Sequence, residues 1–222
     1  MRAYFSSFIV LYRNTFMEYA GLDILINDNV YSPAEDSFLA ADIIREELDG
    51  MGGGVEILEV GCGTGILGLV AAANRNAKHV VFTDVNDDAL ELCKANIQRN
   101  SDRISAECDV VKSDLFSNVE GMFDMIIFNA PYLPDGDKMK LSESWYGGER
   151  GIEISERFIN SATDFMKTNG KIILIVSSLG DLEKLMATVS IRGLMVEREQ
   201  KVHVDFEDII ALVLRKQDYF GS

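Results

Sequence analysis

Ile57-Leu58-Glu59-Val60-Gly61-Cys62-Gly63-Thr64-Gly65-Ile66 reads as a short apolar strand that runs into a glycine loop and leaves it as a helix. Glycines at such a junction let the backbone turn sharply and approach a ligand with no Cβ in the way. The first N–H groups of the next helix are then left facing the ligand. The helix is expected from about Ile66 to Asn74. Outward from this unit, strands and helices alternate. Val80 to Thr83 is a second strand, and Asn86 caps a helix whose Leu90, Cys93 and Ile97 share one face. Strands near Ile104 to Val110 and Met125 to Phe128 follow. A helix over about Ile152 to Lys167, stopped at Gly170, then leads into a strand at Ile172 to Val176. A shorter helix over Asp181 to Ile191 precedes two last runs, Leu194 to Val204 and Asp208 to Leu214. The few residues between those runs force an antiparallel pairing.

Repeated strand–helix units predict an α/β, Rossmann-like, mainly parallel seven-stranded sheet. Helices cover both faces, and the C-terminal strand is antiparallel. The ligand is expected beyond the carboxyl ends of the strands, where strand order switches. Upstream, Ser32 with Pro33 at the first helical position and Glu35 three residues on predicts a capping box, opening a helix that reaches about Leu48. No repeat or Pro/Ser-rich linker divides the chain. Residues 1–29 are read as an N-terminal extension and 30–222 as one domain.

Composition narrows the class. The 222 residues carry 21 Lys+Arg against 36 Asp+Glu, a formal charge of −15, with 47% apolar and 26% charged residues. Such usage is ordinary for a globular domain and excludes collagen-like and disordered chains. The acidic balance disfavours unaided binding to nucleic acid or anionic lipid. Cys62, Cys93 and Cys108 are odd in number and form no CxxC pair, which points to free thiols in a reducing cytoplasm. With only His79 and His203 beside them, no metal site is expected. Neither a signal peptide nor a membrane span is expected from the sequence.

Two constellations carry chemistry. Gly63, Gly65 and Gly68 satisfy GxGxxG with Asp84 about 20 residues on, as a dinucleotide site requires. Glu59 beside the loop suits the cationic amino group of S-adenosyl-L-methionine better than a pyrophosphate. Asp84 would hold ribose hydroxyls in either case, and Asp114 would accept from an adenine amino group. The second constellation is Asn129-Ala130-Pro131-Tyr132, which leaves the fourth strand. An amide nitrogen is a poor nucleophile because its lone pair is delocalised. The Asn129 side-chain oxygen and the Ala130 carbonyl can each accept one of its N–H bonds, orienting it and favouring the charge that develops on it. Tyr132 would pack over the planar group. Leu133 to Arg150, with Lys138 and Lys140, is read as a substrate-covering loop.

Taken together the residues carry a resemblance. Val30 to Ser37, Glu59 to Gly65, Asp84, Asp114-Leu115, Asn129 to Tyr132, and Trp145-Tyr146-Gly147-Gly148 with Gly151 follow one another along most of the chain. In this order they resemble class I S-adenosylmethionine-dependent methyltransferases. More closely, they resemble the HemK-type glutamine methyltransferases of the archaeal and eukaryotic branch that modifies class 1 release factors. The resemblance implies methyl transfer to the glutamine of a Gly-Gly-Gln motif. It implies cofactor contacts at Ser37, Glu59, Gly61, Gly63, Asp84, Asp114, Leu115 and Asn129, and substrate-amide recognition at Asn129, Ala130, Pro131 and Tyr132. A small zinc-binding activator subunit is implied as a partner. Ala130 departs from the family's usual proline, which leaves a backbone carbonyl in place but loosens the loop. An aryl amine would suit the same turn, so adenine-N6 or guanine-N2 methylation of DNA or RNA is the alternative. No basic segment supports it, and nucleic acid is not the expected direct substrate.

Overall fold

The computed structural model describes residues 16–131, 133–134, 146–148 and 152–217. A hairpin of β1 (Phe16–Tyr19) and β2 (Leu22–Leu25) comes first, followed by α1 (Glu35–Gly50), β3 (Val55–Val60), α2 (Ile66–Ala72), β4 (Ala77–Asp84), α3 (Asp87–Arg99) and β5 (Glu107–Lys112). β6 (Phe123–Asn129), the short β7 (Leu133–Pro134) and β8 (Tyr146–Gly148), α4 (Glu153–Ala162), β9 (Met166–Ser177), α5 (Leu182–Ile191), β10 (Leu194–Val204) and β11 (Glu207–Lys216) complete the chain.

The main sheet has seven strands in the order β10-β11-β9-β6-β3-β4-β5. β9, β6, β3, β4 and β5 run parallel, and β11 is reversed against both neighbours. From β3 the chain builds outward through β4 and β5, then returns to the other side of β3 as β6. The switch in strand order therefore falls between β3 and β6, so the loops after Val60 and Asn129 open side by side.

Strand periodicity divides the core. Ile57, Met125, Ile127, Ile173 and Ile175 face α1, α2 and α3, while Leu58, Ile126, Phe128, Ile172 and Leu174 face α4 and α5. Among the described residues, no helix is long and apolar enough to cross a membrane.

Four local expectations are corrected. α1 starts at Glu35, with Ala34 extended at its N-cap and no side-chain cap, so Ser32 and Pro33 stay outside the helix. The Tyr31 hydroxyl instead reaches forward to donate to Asp36, 2.8 Å away, which holds the preceding strap across the pocket described below. The helix expected to Lys167 stops at Ala162. The Phe165 carbonyl accepts from Phe123 N, and Met166 pairs with Phe123, so sheet pairing wins over helix continuation. Gly170 is then a strand irregularity, not a helix stop. A Cβ there would lie 2.9 Å from Met166 and 3.0 Å from the Phe123 carbonyl. The strand expected from Ile104 begins at Glu107, because the N–H groups of Ser105 and Ala106 both serve the carbonyl of Ala72, the last residue of α2.

The β1–β2 hairpin is a further element with no counterpart among the expectations from sequence. Ala20 and Gly21 take φ of 51° and 80° at its turn. Leu22 and Ile24 are fully buried. Asn96 and Asn100, one turn apart on α3, act as an edge for β2. Asn96 accepts from Leu25 N at 2.7 Å and donates to the Leu25 carbonyl, while Asn100 does the same for Asp23. The rise of one helical turn is close to the spacing of alternate strand residues, so two carboxamides replace a neighbouring strand.

Candidate functional site

The loop after β3 takes positive φ at Gly61, Gly63 and Gly65. Gly65 caps α2 from the left-handed region, and a Cβ on it would lie 2.7 Å from Cys93 Sγ. Gly68 lies where a Cβ would meet the Phe82 ring at 2.2 Å and Glu59 Oε2 at 2.6 Å, so a side chain there would push the helix off the sheet.

Glu59, ending β3, lines the pocket and is 2% exposed. Its Oε2 accepts from Gly68 N at 2.9 Å, and the Leu67 N–H also serves it. The carboxyl group thus occupies the first turn of α2, where a phosphate would otherwise be received. Burial pushes its pKa up to about 8, opposed by the Gly68 N–H and reinforced by the nearby charge of Asp84.

Asp84, ending β4, is held by the backbone. Oδ2 accepts from Gly63 N at 3.0 Å and Oδ1 from Asn86 N at 2.9 Å. Each oxygen keeps a second lone pair that can accept one further hydrogen bond. Asp114 follows β5 at the surface and is gripped by both oxygens to Arg157 at 3.1 and 2.9 Å. Beside it Leu115 has φ of 49°, and its carbonyl accepts from the Ser113 hydroxyl.

Asn129 ends β6 and donates through Nδ2 to Asp36 Oδ2 at 2.8 Å. Its Oδ1 is buried and has no hydrogen-bond partner among the described residues. An unmade bond of that kind costs roughly 1–3 kcal/mol, which marks the atom as a candidate acceptor for a ligand. Ala130 is 2% exposed and packs in the core behind the turn. The Ser37 hydroxyl donates to Asp36 at 3.2 Å, inside the protein.

These residues share one cavity of about 290 Å³. Ser37, Glu59, Gly61, Gly63, Asp84, Asp114, Leu115, Asn129, Ala130 and Pro131 all line it. Tyr132, Trp145, Gly151 and the loop lysines 138 and 140 lie outside the described residues, as does the rest of the proposed covering loop apart from β7 and β8. Tyr31, Pro33 and Asp36 line the cavity with no role assigned from sequence. Their only signal was membership of the Val30 to Ser37 run. Val85, Phe128 and Ile154 add apolar wall, and no periodicity distinguishes them from core residues.

Among the described residues the lining contains four carboxyl groups, from Asp36, Glu59, Asp84 and Asp114, and no Lys, Arg or His. A pyrophosphate would meet repulsion there, and its helix N-terminus is already taken by Glu59. A cationic ligand carrying a diol and a planar base suits the same walls.

Comparison with known proteins agrees in kind. The family model of the methyltransferase small domain matches residues 22–204. The curated "Putative protein N5-glutamine methyltransferase" of Methanocaldococcus jannaschii is 34% identical over 200 residues, 88% of this chain and 96% of its own. Methyltransferase HEMK2 of Mus musculus is 26% identical over 75% of this chain and 80% of its own. Among solved structures, the E. cuniculi Mtq2-Trm112 complex, responsible for methylation of the eRF1 translation termination factor, superimposes with a TM-score of 0.63. It is 25% identical over 85% of this chain and 99% of the matched one.

Proposed function

The chain belongs to the methyltransferase small domain family, and from that premise we propose that it methylates the side-chain amide nitrogen of the glutamine in a Gly-Gly-Gln motif of a class 1 release factor. The methyl donor is S-adenosyl-L-methionine, and the reaction belongs to the cytoplasm, where release factors work. The observation that carries the reading is Asn129 Oδ1, without a partner among the described residues, in a cavity whose described lining holds four carboxyl groups and no basic side chain.

Bound in this cavity, S-adenosylmethionine supplies an electrophilic methyl group on a cationic sulfur. Asp84 takes the ribose hydroxyls on the lone pairs its two backbone bonds leave open. Asp114 and Leu115 would hold the base, Gly61 and Gly63 would allow close approach, and Glu59 and Ser37 would serve the amino-acid end. Asn129 Oδ1 accepts one N–H of the glutamine amide and the Ala130 carbonyl the other, while Pro131 borders the planar group. Holding both protons turns the nitrogen toward the methyl and stabilises the positive charge it gains as the N–C bond forms. The methyl–sulfur bond breaks in the same step, its electron pair staying on the sulfur, which becomes a neutral thioether. One proton then passes to solvent, since a methylated amide nitrogen bearing two protons is strongly acidic. No strong base is required.

Methylation of a nucleobase amine is not favoured. Its substrate is a polyanion, whereas this chain is strongly acidic and the relatives named above include a glutamine methyltransferase. An activator subunit is proposed as a partner, since the Mtq2 structure is a complex with Trm112. The decisive experiment incubates a release factor with the enzyme and S-adenosylmethionine, with and without an activator subunit. Tandem mass spectrometry should find one added methyl on the Gly-Gly-Gln glutamine. Absence of the modification in both arms would sink the proposal.

A further inference from the structure

The Asn129 carboxamide is turned by a carboxylate from a distant part of the chain. Asp36 lies in the first turn of α1, 93 residues away in sequence and 3% exposed. Its Oδ2 accepts from Asn129 Nδ2 at 2.8 Å. Its Oδ1 accepts from the Tyr31 hydroxyl at 2.8 Å and from the N–H and hydroxyl of Ser37 at 2.6 and 3.2 Å. A carboxylate only accepts, so it tolerates the NH₂ end of a carboxamide and repels the oxygen end. The two ends of an asparagine are otherwise nearly the same size, and rotation about the last bond would exchange them.

We infer that Asp36 is a positioning residue: it locks the Asn129 carboxamide with its oxygen facing the reacting nitrogen, so that the site presents an acceptor and never a donor. Rotated by half a turn, the carboxamide would set its own NH₂ against the NH₂ of the substrate. It would also place its oxygen against a carboxylate. The Tyr31 and Ser37 bonds fix Asp36 in turn, so the reading direction of the site is set by α1 and the strap before it. This role rests on the proposed glutamine chemistry, in which Asn129 Oδ1 accepts from the substrate amide.

The test combines kinetics with a measurement that needs no turnover. Asp36→Asn preserves shape and can donate as well as accept, so it frees the Asn129 carboxamide to rotate. With a Gly-Gly-Gln substrate, kcat should fall on the order of 10- to 100-fold, with a smaller change in substrate KM. Placed on Asn129→Ala, the same substitution should cost nothing more in kcat, because Asp36 acts through Asn129. A full additional loss in the double variant would overturn the inference. So would an unchanged kcat in the single variant. By NMR, the side-chain amide protons of Asn129 in the wild-type protein should exchange at least about tenfold more slowly than a free carboxamide, as a buried bond requires. Exchange at the free rate would overturn the inference even if Asp36→Asn does not fold. Wild-type protein that holds its carboxamide in this way yet leaves glutamine unmethylated would refute the proposed reaction and leave the Asp36 bond standing.

Discussion

Asn129 and Glu59 show how much of the site can be read from single residues. Asn129 is expected in the site because a polar residue followed by Ala-Pro-Tyr at a strand end suits amide recognition, and its Oδ1 is buried with no partner among the described residues. Asn129→Ala should lower turnover on the order of 10²–10³, the scale of one preorganised transition-state contact, with cofactor affinity by calorimetry little changed. Near-wild-type turnover would remove Asn129 from the reaction. Glu59 was legible as an acid beside the loop, but its bond to Gly68 N was not, because that depends on how the helix folds back over the strand. Its pKa of about 8 lies above the ordinary 4.5, so the folded protein holds the proton more tightly than the unfolded chain. The stability this group contributes is complete below about 4.5 and is lost as pH rises through about 8. Urea unfolding of the cofactor-free protein should show this decline, and Glu59→Gln should flatten it. Parallel curves for the two proteins would show that Glu59 does not titrate in that window. Asp36 could not be assigned at all, since its partner lies on another element and sequence carries no mark of the pairing.

At the level of elements, the strand–helix alternation was readable and the boundaries were governed by tertiary contacts. The helix after Ile152 gave way at Ala162 because β6 offered Phe165 and Met166 a strand partner. The N-terminal hairpin escaped notice because its second strand pairs with side chains of α3, which leave no alternating partner strand to find. Asn96 also donates to the Thr64 carbonyl at 2.9 Å, so the hairpin is tied to the glycine loop. Asn96→Leu would strand the amide of Leu25 and the carbonyls of Leu25 and Thr64, and it should cost roughly 2–4 kcal/mol of stability by urea denaturation. A cost below about 1 kcal/mol would mean that water replaces the clamp without loss.

Over the whole molecule, the parallel sheet and its site at the strand ends followed from pattern, whereas strand order did not. Helix and strand lengths are local properties, but β6 returning beside β3 is a matter of how complete layers pack. The charge of −15 takes on a more definite meaning once the cavity is seen, because the acidic bias continues into its described lining, which holds four carboxyl groups and no basic side chain. The two asparagines on α3 have a further consequence, in time. Their bonds to β2 join residues 71 and 77 positions apart, so they form only after most of the intervening chain has found its place. Contacts made after the transition state slow unfolding and leave folding nearly untouched. In stopped-flow measurements, Asn96→Leu should therefore put most of its energetic cost on the unfolding limb, with the folding limb close to wild type. A mainly slowed folding limb would mean that the hairpin belongs to the nucleus. With its cost on the unfolding limb, the clamp would set the lifetime of the folded chain, and with it how long the glycine loop stays braced through Thr64.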